Sequence, residues 1–358
     1  VASSLSFLLC FKYADFFLEN LGALTGRPIA LLKLSLPVGI SFYTFQILSY
    51  TIDVYRGQAA AQKNLIDLAC YVTFFPQLIA GPIVLYKEMM PQFEDISNRR
   101  FNPDNFAKGI TLFTIGLAKK VLLADVLALP VNFGFDQTAF LDTPSTLLVI
   151  LAYTFEIYFD FSGYSDMALG FSRMLNIDLP MNFDSPYKAL SIRDFWKRWH
   201  MSLTGWFRDY LYIPLGGSRR GKFRHYLNLI LVFLVSGLWH GAAWHYVVWG
   251  GVHGVYQLAG LLKNKLADKI NAGKPRHPAG FGCRAGTFVL VAAAWVFFRA
   301  NRCGEAIAFL KNILLKPNAW ALVDGVTLYS MGLDRAQFWL LILAALLLFW
   351  VDVQHEKG

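Results

Sequence analysis

Histidines are the side chains best suited to chemistry in this sequence, and three of them lie in one apolar stretch, VSGLWHGAAWHYVVWGGVHG. They are His240, His245 and His253. No Asp, Glu, Lys or Arg occurs between Arg224 and Lys263, so the stretch is apolar enough to lie in lipid. Ionisable side chains are rare and costly at that depth, which makes these histidines functional candidates by default.

The chemistry that fits them is general-base activation of a hydroxyl by a neutral imidazole. A shared metal site is disfavoured, because on one helix His240 and His245 would be about 140° apart, and His245 and His253 about 80° apart. His240 is the preferred base, since Trp239 and Gly241 would give it a wall and close backbone access. For each histidine the alternative is a structural role, hydrogen-bonded between helices.

A second candidate stretch, residues 182–217, mixes aromatic and basic side chains and contains His200. It is too charged to span a membrane and too aromatic for an ordinary solvated loop. The pattern favours an amphipathic segment at the membrane interface, with its basic side chains reaching water and phosphate. A plain membrane-surface anchor is one interpretation, and a site for an anionic, phosphate-bearing donor is the other.

Carboxylates form a third set within YTFEIYFDFSGYSDMALGF. Glu156 and Asp160 are four residues apart and share one helix face, and Asp166 follows in a predicted Gly/Ser-rich turn. Carboxylates at membrane depth should pair with Arg or Lys or line a polar cavity. Ion pairs between helices, catalysis and a transport path all remain open interpretations.

Membrane helices are the elements that must position these residues. The chain is 56% hydrophobic and 16% charged, with a mean hydropathy of +0.42, whereas about a quarter of the residues in a soluble domain are charged. A spanning helix needs roughly 20 apolar residues, which predicts about eight or nine segments. Their approximate bounds are 1–20, 33–52, 66–86, 107–130, 145–172, 226–241, 243–262, 284–300 and 336–352.

Prolines predict one broken helix, and basic residues predict which loops of the chain face the cytoplasm. Segment 66–86 contains Pro76 and Pro82, which kink or break a helix. Basic residues are concentrated in 193–224 and 263–276, so both loops are expected to face the cytoplasm. His240 would then lie far from that surface. The net charge of +9 resides largely in such loops, which disfavours nucleic acid as a partner.

The four cysteines and the first residues of the chain indicate no catalytic or metal-binding chemistry. Cys10 and Cys70 lie in apolar runs and are expected to be buried, and no spacing indicates a disulfide framework or a zinc site. Residues 1–358 are predicted to form a single integral membrane domain. The apolar start at Val1 favours a fragment that lacks N-terminal spans.

Six motifs together resemble the membrane-bound O-acyltransferase (MBOAT) family. Within it they are most similar to the bacterial branch that acts in alginate O-acetylation, and more distantly to the branch that transfers D-alanine to teichoic acid. The matching stretches follow the family's order and cover most of the chain: LPVGISFYTFQILSYTIDVYRG (36–57), YVTFFPQLIAGPI (71–83), FDFSGYSDMALG (159–170), NFDSPYKALSIRDFWKRWHMSLTGWFRDYLYIPLGG (182–217), SGLWHGAAWHYVVWGGVHG (236–254) and WVFFRA (295–300).

The resemblance implies an all-α polytopic membrane bundle with a central funnel or tunnel, located in the bacterial inner membrane. It implies acyl transfer to a hydroxyl, with His240 as the presumed catalytic histidine and His200 as the second. The donor, such as acetyl-CoA from the cytoplasm, would bind a basic and aromatic set: Arg193, Lys197, Arg198, Trp199 and Arg208. An extracytoplasmic polysaccharide acetyltransferase would be the partner protein.

The leading expectation is therefore an O-acetyltransferase that modifies an alginate-like extracellular polysaccharide, with membrane lipids around it and no resident cofactor or metal. Two alternatives remain open. D-alanyl transfer to teichoic acid keeps the chemistry and changes the cargo. A non-enzymatic transporter is also compatible with buried carboxylates and broken helices.

Overall fold

A computed structural model describes residues 1–79, 81–270, 280–324, 326–327, 329–339, 342–343, 346–347 and 350. These residues confirm the helical class that the sequence predicts. The α-helices are Ala2–Leu8 (α1), Ala14–Thr25 (α2), Ile40–Tyr55 (α3), Leu65–Thr73 (α4), Phe75–Leu78 (α5), Tyr86–Glu94 (α6), Pro103–Ala118 (α7), Asp125–Asp136 (α8), Thr143–Met174 (α9), Ile192–Arg198 (α10), Met201–Phe207 (α11), Lys222–His240 (α12), Trp244–Ile270 (α13), Phe281–Arg299 (α14) and Cys303–Leu315 (α15).

Tighter and wider turns join several of these helices. Three π-helical turns connect α1 to α2, connect α7 to α8, and follow α11: Leu9–Tyr13, Lys119–Ala124 and Arg208–Tyr212. Short 3₁₀ turns occupy Ile96–Arg99, Thr138–Phe140, Pro186–Lys188, Ala319–Leu322 and Tyr329–Met331. An isolated antiparallel bridge joins Phe183 to Trp199. Single π turns of this kind are frequent at functional sites.

The predicted spans correspond to helices of uneven length. The predicted break in 66–86 is confirmed, since the chain leaves the helical conformation at Phe74, between α4 and α5. Of the described helices, Thr143–Met174 and Phe281–Arg299 are both long and apolar enough to cross a membrane. The other crossings stay predictions. Parts of span 336–352 and of loop 263–276 lie outside the described residues.

Helices α12 and α13 approach each other unusually closely, and this contact positions the histidine-rich stretch. A Cβ added to Gly237 would lie 2.2 Å from the carbonyl oxygen of Tyr246, and one added to Gly250 would lie 2.1 Å from that of Phe233. Only glycine fits at such a backbone contact, as in many packed membrane helices. The pair therefore fixes the end of α12 against the start of α13.

Aromatic side chains of residues 182–217 pack into the interior, while Arg193, Lys197 and Arg208 are exposed, and the place of the segment along the membrane interface stays a prediction. Trp196 and Trp199 are 6% and 3% exposed and belong to the main core cluster, together with Trp295. Trp206 stacks on Phe45, with ring centroids 3.7 Å apart. The segment is amphipathic as expected, but its apolar face is covered by the protein's own helices.

Two smaller expectations are wrong. Asp166 lies within the continuous helix α9, because Gly and Ser residues in a packed helix permit close contact and need not form a turn. Cys10 and Cys70 are exposed, since an apolar helix that faces the outside of the bundle needs no burial within the protein.

Candidate active site

His200 and His240 lie in the wall of one cavity of about 540 Å³, here called the histidine cavity. They come from different parts of the fold, since His240 ends α12 and His200 separates α10 from α11. Aromatic side chains form a large part of the remaining wall and include Trp199, Trp239, Trp249 and Trp295. The cavity thus places the two imidazoles among indole rings, and polar interactions are stronger in such an apolar surrounding than in water.

His240 is placed by the abrupt end of α12. Gly241 takes an extended conformation, and a Cβ there would lie 2.1 Å from the ring of Tyr246, so a larger residue would displace that ring. The His240 ring contacts Trp249 and Phe298 edge-on, with centroids 5.1 Å and 5.2 Å apart. In the part of the chain that the structure describes, no hydrogen bond engages the His240 side chain. Its ring nitrogens are thus available to a ligand.

His200 is held by a different device. It adopts the left-handed conformation, with φ 44° and ψ 54°, which costs a non-glycine residue about 1–2 kcal/mol. Its Nδ1 lies 3.3 Å from Oδ1 of Asn182, and that oxygen already accepts the Ser202 N–H at 3.2 Å. Since Oδ1 is an acceptor, Nδ1 must carry the hydrogen, and Nε2 keeps its lone pair.

A second cavity, of about 530 Å³ and here called the basic cavity, has a charged and an apolar part. Arg193, Lys197 and Arg208 supply the positive charge. Tyr212 and His225 are joined in its wall, with the Tyr212 hydroxyl 2.7 Å from His225 Nδ1. Leu203, Phe207 and Phe233 line the apolar part. Such a site suits a ligand with a phosphate-bearing end and a narrow apolar end.

Contacting aromatic rings separate the two cavities. Trp196 lines the basic cavity, Trp249 lines the histidine cavity, and their ring centroids are 5.8 Å apart. His253 lies behind them, fully buried, and accepts the indole N–H of Trp196 at 3.2 Å. Trp196 and Trp249 therefore lie between the basic cavity and the cavity that His240 lines.

The five residues predicted to bind the donor divide between different places. Arg193, Lys197 and Arg208 line the basic cavity. Arg198 pairs instead with Asp194 at 3.2 Å and with Asp184 at 3.6 Å. Trp199 lines the histidine cavity, because α10 ends at Arg198 and the extended Trp199 backbone turns the ring to the other side. Arg198 and Trp199 therefore do not belong to the basic cavity.

The other predicted candidates have structural contacts. His245 Nδ1 lies 3.1 Å from the Phe297 carbonyl oxygen, and His253 binds Trp196, so both connect helices as the alternative interpretation held. Asp166 pairs with Lys119 at 2.7 Å. Asp160 pairs with Lys120 at 2.5 Å and also lines the histidine cavity.

Glu156 has a buried Oε2 to which no hydrogen bond is made by any residue that the structure describes. No group of three or more His, Cys, Asp or Glu side chains among the described residues could hold a metal ion.

Sequence reasoning missed Lys12 and Asn182. Lys12 lines the histidine cavity, and its only signal was a charge that interrupts an apolar run. Asn182 holds His200 from the start of the same motif, 18 residues upstream. Neither contact follows from helical periodicity, because each joins parts of the chain that the fold alone brings together.

Comparison with known proteins gives consistent matches. Residues 58–298 match the membrane-bound O-acyltransferase family. A peptidoglycan O-acetyltransferase of Helicobacter pylori is 40% identical, over 94% of this chain and 66% of that protein. A probable alginate O-acetylase AlgI of Pseudomonas putida is 42% identical, over 99% of this chain and 70% of that protein. A teichoic acid D-alanyltransferase of Streptococcus thermophilus is 32% identical, over 68% of this chain and 60% of that protein.

The chain spans about two thirds of the length of the first two of these curated relatives. The family match covers residues 58–298, which include both cavity histidines, the aromatic partition and the basic cavity. The chain therefore belongs to the membrane-bound O-acyltransferase family.

Proposed function

We propose that this chain transfers an acetyl group from a thioester donor to a hydroxyl, as a step in the O-acetylation of a cell-surface polysaccharide. The observation that carries the proposal is the approach of His200 and His240 to one aromatic cavity, next to a basic cavity behind a thin partition. The relatives named for O-acetylation of peptidoglycan and alginate support the acetyl group and the polysaccharide class.

The proposed steps of acetyl transfer use the unbonded ring nitrogens of His240 and His200. A donor thioester would enter from the basic cavity, and an acceptor hydroxyl would enter the histidine cavity from its other side. His240 removes the proton of the hydroxyl as its oxygen attacks the thioester carbonyl carbon. The C–O bond forms, the C–S bond breaks, and His240 returns the proton to the departing thiolate. His200, with Nε2 unprotonated, would orient one of the reacting oxygens through a water or an O–H.

Acetyl-CoA is the donor that the basic cavity suits best. Its phosphates would meet Arg193, Lys197 and Arg208, and its pantetheine arm would lie along the apolar part. The positive-inside rule puts these basic residues on the cytoplasmic side, where acetyl-CoA is made. The two cavities would then be the two ends of the funnel expected for the family, within a single domain in the inner membrane.

The acceptor would lie on the opposite side of the membrane, where an extracytoplasmic acetyltransferase would complete the modification. An alginate-like polymer is the preferred acceptor, supported by the AlgI relatives at 42% identity, and peptidoglycan is the alternative, because its O-acetyltransferase matches the chain almost as fully. D-alanyl transfer is a further candidate, supported by teichoic acid D-alanyltransferases at lower identity. Mass analysis of the modified polymer separates acetyl from D-alanyl groups.

His240→Ala tests the proposal in cells, with His245→Ala as the matched control. His245 lies in the same motif but lines neither cavity. We expect His240→Ala to abolish polymer acetylation while the protein still accumulates in the membrane, and His245→Ala to keep it. Normal acetylation with His240→Ala would contradict the proposed role. Solute movement by the purified protein without any acyl donor would favour a transporter instead.

A further inference from the structure

The N-terminal segment places a cation in the histidine cavity, far in sequence from the family motifs. Lys12 lies on the π-helical turn Leu9–Tyr13, and its side chain lines the cavity wall together with His200 and His240. The Lys12 ammonium donates to the hydroxyl oxygen of Ser41 at 2.8 Å and to the carbonyl oxygen of Trp239. The second contact joins residues 227 positions apart.

Lys12 and its neighbour together hold the end of α12. The Tyr13 hydroxyl donates to the carbonyl oxygen of Leu238 at 2.9 Å, so two consecutive side chains bind two consecutive carbonyls. These carbonyls belong to the last turn of a helix, where the backbone has no further N–H partners and the helix dipole favours a positive charge. The next residue is His240, so the N-terminal segment helps to fix the backbone that carries the candidate base.

The Lys12 charge has no carboxylate beside it. Across the residues that the structure describes, Lys12 forms no ion pair, and Asp160, which lines the same cavity, is paired with Lys120. An ammonium has three N–H donors, and Ser41 and Trp239 use two of them. One donor and one unneutralised positive charge therefore remain for an oxygen in the cavity.

We propose that Lys12 supplies the cation of the transfer site, stabilising the oxygen of the acyl carbonyl when it becomes negative. This inference rests on the proposed function. When the acceptor hydroxyl attacks, the carbonyl π electrons move onto that oxygen while the hydroxyl proton passes to His240. The Lys12 ammonium donates to the oxyanion, which then re-forms the carbonyl as the C–S bond breaks. A preorganised donor in a water-poor site is a strong source of such stabilisation.

Lys12→Met and Lys12→Arg are the first test, with Tyr13→Phe as the matched control. Tyr13→Phe removes only the bond to the Leu238 carbonyl and leaves the charge in place. In acetyl transfer by membrane vesicles, we expect Lys12→Met to lower kcat on the order of 10²-fold with little change in the KM of acetyl-CoA. Lys12→Arg should keep most of the rate, and Tyr13→Phe, which loosens the end of α12 but leaves the charge, should lose far less of it than Lys12→Met.

Chemical rescue separates the charge from the packing. Alkylation of a Lys12→Cys variant with 2-bromoethylamine restores an ammonium, whereas iodoacetamide adds a neutral group. Wild-type protein treated in the same way controls for Cys10, Cys70 and Cys283, which are exposed. We expect the rate to recover only with 2-bromoethylamine, the reagent that restores the ammonium. Equal recovery with both reagents, or a wild-type kcat for Lys12→Met, would overturn the inference.

His240→Ala in the same assay separates this inference from the function on which it rests. If His240→Ala keeps full activity, the proposed function fails. If His240→Ala is inactive while Lys12→Met is fully active, the proposed function stands and only the role of Lys12 fails.

Discussion

Replacing Asn182 with Leu should lower the rate of acetyl transfer through its effect on His200. Asn182 is 2% exposed, and its Oδ1 accepts from the Ser202 hydroxyl at 2.8 Å, the Ser202 N–H at 3.2 Å and His200 Nδ1–H at 3.3 Å. Leu has a similar volume but no acceptor. His200 would then lose the bond that keeps Nε2 unprotonated.

The size of the effect follows from that bond. A neutral hydrogen bond contributes about 0.5–1.5 kcal/mol net, and 1.36 kcal/mol corresponds to a tenfold ratio. We therefore expect roughly a two- to tenfold loss of the tautomer with a free Nε2, and a similar loss of kcat. The Ser202 backbone N–H also loses its acceptor, which should cost about 1–3 kcal/mol in the free energy of unfolding.

Initial rates in vesicles with equal amounts of folded protein provide the assay. Ser202→Ala is the matched control, because it removes one donor to Asn182 but leaves the amide bonded to His200. It should keep nearly the wild-type rate. A wild-type rate for Asn182→Leu, or an equal loss for Ser202→Ala, would refute the idea that Asn182 selects the tautomer.

Two further predictions concern packing and donor binding. Gly237→Ala should lower the free energy of unfolding by about 1–3 kcal/mol, because its Cβ would lie 2.2 Å from the Tyr246 carbonyl oxygen. In the control Gly260→Ala on α13, the new Cβ meets nothing within 4 Å, so the melting temperature should not fall. Lys197→Gln should raise the KM of acetyl-CoA several-fold and weaken its dependence on salt, whereas Lys222→Gln, outside the basic cavity, should leave KM unchanged. An unchanged melting temperature for Gly237→Ala, or equal KM values for the two lysine variants, would contradict them.

The sequence could predict the helical class and the break near Phe74, because both depend on local composition and on proline. It could not predict how residues 182–217 are buried. A basic, aromatic helix at a lipid interface and one packed against the protein have the same side-chain pattern, and only the neighbouring helices distinguish them.

The sequence likewise could predict some residues of the candidate site but not their arrangement. His240 and His200 could be selected from motifs, but spacing could not show that they share a cavity, since His240 ends α12 and His200 lies between α10 and α11. Trp199 was grouped with the residues expected to bind the donor, whereas it lines the histidine cavity, because α10 ends at Arg198 and the backbone turns there. Lys12 was missed because its partners, Ser41 and Trp239, are distant in sequence.

The most direct test of the central claim uses sealed inside-out membrane vesicles, with acetyl-labelled acetyl-CoA added only to the outer, cytoplasmic face and a hydroxyl-bearing polysaccharide enclosed within. The wild-type chain should place label on the enclosed polymer, and His240→Ala should place none there. Label on the polymer at the wild-type rate with His240→Ala would contradict the claim that this histidine, at the cavity between the two faces, carries the transfer.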